Sequence, residues 1–128
     1  MATAPHEDLV DDLARALHAN ADPAQAARMA AYLKTDAPQL GVTKPALDVI
    51  VRDIKTRHPP ADHAGYVRAV EAIWQLPWRD GRSAAIRYAR AFPKYVVHES
   101  LPLYERMIRE GAWWDLVDEI AAWLVGRL

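Results

Sequence analysis

The chain contains no cysteine. Disulfide scaffolds, thiolate zinc sites and cysteine nucleophiles are thereby excluded, and a reducing compartment is permitted. A surplus of charge is also missing: 16 Lys and Arg against 17 Asp and Glu leave a net −1. No overall field draws such a chain to nucleic acid, so binding of that kind needs a local basic face. Apolar runs are short, and none reaches membrane-spanning length. The stretch from Met1 to Asp12 carries Glu7, Asp8, Asp11 and Asp12, which is not the order of a secretory signal. A cytoplasmic protein is the expectation. The five glycines form no phosphate-cradling loop.

What is present is an ordinary globular balance, 52% apolar and 26% charged over 128 residues, enough for one domain spanning 1–128 with a modest core. The apolar residues recur at helical spacing throughout. Leu9, Leu13 and Leu17 mark a first helix from Pro5 to Asn20, with acids in its early turns. Asp22-Pro23 caps and opens a second, which runs to about Lys34; 35–44 is a loop, and Thr43 caps a third helix carrying Leu47, Ile50, Val51 and Ile54. A fourth spans Ala61 to Gln75, and a fifth, capped by Asp80, runs to Phe92 before Pro93 breaks it. After a connector to His98, Ser100 caps a sixth helix that ends at Gly111. No useful strand alternation occurs. The fold class is all-α.

The stretch Ala112-Trp113-Trp114-Asp115-Leu116-Val117-Asp118-Glu119-Ile120 forms the last helix. Its spacing puts Trp113, Val117, Ile120 and Leu124 on one stripe facing the core, and stacks Trp114 over Asp118 on the flank of that stripe. The residues alone leave two readings open. The pair is a packing indole beside a solvated acid, or it is a site in which an aromatic face holds a sugar or cation while the carboxylate stabilises positive charge.

Trp113-Trp114-Asp115-Leu116-Val117-Asp118, running on to Leu124-Val125-Gly126, closely resembles the active-site helix of the DNA alkylation repair glycosylases built from HEAT-like repeats, the AlkD family. Ala30-Ala31-Tyr32-Leu33-Lys34, Leu40-Gly41-Val42, Lys44-Pro45, Ile73-Trp74-Gln75-Leu76-Pro77, Ala84-Ala85-Ile86 and Leu101-Pro102-Leu103 extend the likeness over most of the chain. The resemblance implies an α-solenoid of antiparallel HEAT-like helix pairs with about six to seven helices; composition alone does not separate a solenoid from a bundle. It also implies that Trp114 and Asp118 are the functional pair, and that Tyr32 approaches the lesion as a secondary contact.

Departures accompany the likeness. Where the family carries an Arg pair after the Lys-Pro, this chain has Ala46, Leu47 and Asp48. Gln39 stands at a commonly aromatic position, and Gly81 and Ser83 replace bulkier residues. The family also carries roughly as much helical chain again beyond this helix, so an N-terminal half is the expectation, with self-association through an exposed C-terminal helix as a consequence.

Arg79, Arg82, Arg87, Arg90 and Lys94 are set against Asp80 alone between positions 79 and 94, a candidate track for the DNA backbone. The competing reading is a solvated helix face. His58-Pro59-Pro60-Ala61-Asp62-His63 lacks metal-ligand spacing and reads as a surface loop, so no metal is expected. His98-Glu99-Ser100 is no triad, because sequence neighbours do not adopt that geometry. The combined expectation is a monofunctional glycosylase excising N3- or N7-alkylated purines from duplex DNA without a cofactor. In it Asp118 stabilises oxocarbenium charge and orients water. The alternative is a non-catalytic HEAT-like module binding DNA or a protein partner.

Overall fold

The computed structural model describes residues 6–33, 38–111 and 114–128, and the side chains of all of these except Trp114 and Asp115. Seven α-helices occur among them: α1 (Glu7–Ala19), α2 (Pro23–Leu33), α3 (Lys44–Arg57), α4 (His63–Trp74), α5 (Arg79–Arg90), α6 (Leu101–Gly111) and α7 (Trp114–Trp123). Three 3-10 turns, Pro93–Tyr95, His98–Ser100 and Val125–Arg127, complete the described chain, which contains no strand. No helix among the described residues is long and apolar enough to cross a membrane.

The helices stack as hairpins. α1 packs on α3, α4 on α5 and α6 on α7, while α1, α4 and α6 form one layer and α3, α5 and α7 the other. That two-layer succession is an α-solenoid, as the HEAT-like resemblance implies. Leu9, Leu13 and Leu17 are buried on α1, and Leu47, Ile50, Val51 and Ile54 on α3, so the four-residue recurrences in the sequence do face the core. α2 is different: it buries none of its residues completely. It is fixed at its N-terminal end, where Asp22 N–H donates to Leu40 O at 2.8 Å and the Asp22 carboxylate accepts from Ala24 and Gln25.

α5 is the centre of the molecule, touching α3, α4 and α7. Ala84, Ala85 and Ala89 are fully buried on it, and side chains this small let neighbouring helices approach closely. Gly81 belongs to the same economy of volume: a Cβ there would lie 2.7 Å from Leu76 Cβ, which explains why this position holds no bulkier residue.

Two caps differ from expectation. α5 begins after Trp78, and Asp80 lies inside its first turn with its carboxylate spent elsewhere: it accepts from Leu40 N–H at 2.7 Å and Val42 N–H at 3.0 Å. Ser100 sits in a 3-10 turn and donates to Tyr95 O at 2.6 Å instead of capping α6. Because that bond uses its one hydroxyl hydrogen, the 2.8 Å contact with His63 requires His63 Nε2 to be the donor.

Candidate active-site helix and basic groove

Within α7 the buried residues are Leu116, Ile120 and Leu124, with Val117 and Trp123 half-buried. The stripe is therefore rotated from the one expected through Val117. The cause is α5, whose arginines cover the Glu119 and Trp123 side of α7 and extend the buried arc in that direction. Trp113, counted in the expected stripe, lies outside the described residues.

Asp118 is exposed. It stands two residues from both Leu116 and Ile120, about 200° around the helix from each, and so points away from the core. This is a correction to its placement on the flank of the stripe: it occupies the middle of the solvent face, with Ala121 and Ala122 exposed beside it. Trp114 opens α7 one turn earlier, and its ring lies outside the described residues. Glu119, the next residue, lies about 100° further round the helix, on the side that faces α5, and sits 3.5 Å from Arg87.

The five cations of the predicted track have separate surroundings. Arg79 is buried at 7% exposure, and its backbone N–H donates to Pro38 O. Arg82 donates to Glu110 O at 2.6 Å, at the carbonyl end of α6, with its guanidinium 4.7 Å over the Trp74 ring. Arg87 pairs with Asp48 at 2.8 Å. Arg90 is exposed and stacks 4.2 Å over Trp123, while Lys94 is exposed 5.2 Å from the Tyr95 ring. Tyr32, on α2, is 71% exposed.

Between α3 and α5 lies an open groove of about 310 Å³, lined by Asp48, Val51, Arg52, Lys55, Arg87, Arg90 and Ala91. Four cations face one carboxylate there, the local basic face that a chain of net charge −1 needs for DNA. Its α3 wall, Arg52 and Lys55, was missed in the sequence. The signal is an i, i+3 basic pair on the polar side of the Leu47-Ile50-Val51-Ile54 stripe, and α3 is 39 residues from its partner wall in Arg87 and Asp48. His58 and His63 are not brought together: His58 pairs with Asp12 at 2.7 Å and His63 with Ser100. No cluster of three or more His, Asp or Glu in metal-binding array occurs among the described residues.

The model of the family described as DNA alkylation repair enzyme matches residues 13–128, nearly the whole of this architecture. The chain belongs to the DNA alkylation repair enzyme family. No curated protein matches it significantly. Membership makes repair of alkylated DNA its field of action and DNA its partner. For a DNA alkylation repair enzyme, a basic groove on the α3–α5–α7 layer and an acid on the open face of α7 are the features whose chemistry needs an explanation.

Proposed function

We propose that the chain is a monofunctional DNA glycosylase that releases N3- or N7-alkylated purines from duplex DNA, with Asp118 as its catalytic carboxylate. The observation that carries this reading is the exposed position of Asp118 on α7, the helix whose adjoining residues Glu119 and Trp123 meet the arginines of α5.

Alkylation at N3 or N7 makes the purine cationic, so it departs as a neutral base and takes the electrons of the glycosidic bond with it. The deoxyribose is left with oxocarbenium-like charge at C1′. A carboxylate beside that carbon stabilises the charge and accepts a proton from the water that attacks it. Trp114 supplies an electron-rich face toward the sugar or the cationic base, and Tyr32 a second aromatic contact. Arg90 and Lys94, with Arg52 and Lys55 across the groove, hold the phosphates without reading sequence, since no base-edge code is needed for a lesion recognised by its charge. Neither a metal nor an organic cofactor enters this reaction.

Incubating the protein with duplex DNA carrying N7-methylguanine and measuring free base tests the reading. Release above the spontaneous rate is expected. Duplex binding with no release at all would assign the chain to a non-catalytic DNA-binding module instead.

A further inference from the structure

We infer that Arg87 is a positioning residue, which locks α7 to α5 and α3 so that Asp118 is held toward the DNA face, and that it is not a phosphate contact. The inference rests on the glycosylase reading of Asp118. The side chain of Arg87 is nearly covered, at 9% exposure, whereas Arg52 and Arg90 in the same groove are exposed. Its Nε donates to Asp48 on α3 at 2.8 Å, and its Nη1 lies 3.3 Å from Ser83 O within α5 and 3.5 Å from Glu119 on α7. The guanidinium also lies 5.6 Å from the Trp123 ring.

These partners lie on three helices: Asp48 on α3, Ser83 on α5 itself, and Glu119 and Trp123 on α7. Asp48 and Glu119 belong to helices of different hairpins, so a single planar fork spans all three helices of one layer. Two carboxylates already offset its charge, and Asp48, 58% exposed at the mouth, repels an arriving phosphate. Glu119 is only 18% exposed, and a covered acid deprived of a neighbouring cation favours a different placement of its helix. Because Asp118 and Glu119 are separated by about 100° around α7, any rotation that rehydrates Glu119 moves the catalytic acid.

Arg87→Met, Glu119→Gln and the double variant separate the two roles. For Arg87→Met, affinity for undamaged duplex and its salt slope stay within about twofold of the parent, whereas single-turnover release of N7-methylguanine falls about tenfold or more. Backbone amides of α7 exchange faster in the same variant. Adding Glu119→Gln recovers part of the rate, because the acid that drives the displacement is gone. Arg87→Lys, which keeps the charge without the fork, gives the same pattern to a lesser degree and carries the comparison if Arg87→Met does not fold. Weaker duplex binding with a salt slope reduced by about one, and unchanged exchange in α7, would overturn the inference and make Arg87 a backbone contact. If the parent protein releases no base, the glycosylase reading fails by itself, and the exchange and affinity measurements still decide Arg87.

Discussion

Adjacent acids on one helix meet different fates here: Glu119 is drawn under the arginines of α5, and Asp118 is left to solvent. Titration separates other residues in the same way. The Asp12 carboxyl is held below its ordinary value of 3.8, chiefly by the hydrogen bond from His58, with Arg57 and Arg15 adding to the effect and partial burial opposing it. A depressed folded-state value contributes stability above the unfolded value, which is lost as pH falls through the folded one. Asp12→Asn should therefore flatten the decline in stability below about pH 4, read from denaturant midpoints at successive pH values. Tyr88 behaves oppositely. Burial raises its phenol from 10 to about 12, and its hydroxyl donates to His58 O at 2.8 Å. Its contribution is complete below pH 10 and is lost as pH climbs through about 12. Tyr88→Phe is expected to cost about 1 kcal/mol at neutral pH and to reduce that alkaline loss. A midpoint unchanged at pH 7 would show that the bond contributes nothing.

At the scale of elements, the segment 38–42 shows how one loop joins α2 to α5. Gly41 has φ +78°, and a Cβ there would come within 2.1 Å of Asp22 O. Gly41→Ala is expected to destabilise the protein by about 2 kcal/mol or more, from both the left-handed backbone and the collision with α2. Removing the Asp80 carboxylate, which holds Leu40 and Val42 from across the loop, should cost a similar amount, about 2–3 kcal/mol, in chemical denaturation. These elements also mark where the sequence was legible. Asp22, Thr43 and Pro45 announce helix starts through local rules, and the structure keeps them: Asp22 accepts from Ala24 and Gln25, and Thr43 from Ala46. Asp80 carries the same local signal, yet its partners lie 38 and 40 residues away, where no capping rule reaches. The rotation of the α7 stripe has the same origin. Periodicity gives the helix, but only the approach of Arg87 and Arg90 decides which flank is covered.

At the scale of the molecule, six of the seven described helices form a pair of layers, and the net charge of the chain says nothing about its preferred ligand. The helices and their solenoid stacking were readable from spacing together with the family likeness. The groove was not, since it forms only when α3 and α5 are brought side by side with Arg52, Lys55 and Arg90 on its walls. Neutralising those three should lower the slope of log affinity against log salt by roughly one for each phosphate that no longer meets a cation, leaving affinities alike across sequences. An unchanged slope would return them to a solvated surface. Duplex affinity and chemistry are thus assigned to different side chains, and Asp118→Asn separates them most directly. That variant keeps the size of the side chain, and replaces a charged acceptor oxygen with a neutral amide that can neither offset positive charge nor take a proton. Measured as single-turnover release of N7-methylguanine from saturated duplex, the rate should fall by about 10² or more while duplex affinity is retained. Release at the parent's rate would contradict the assignment of the catalytic carboxylate.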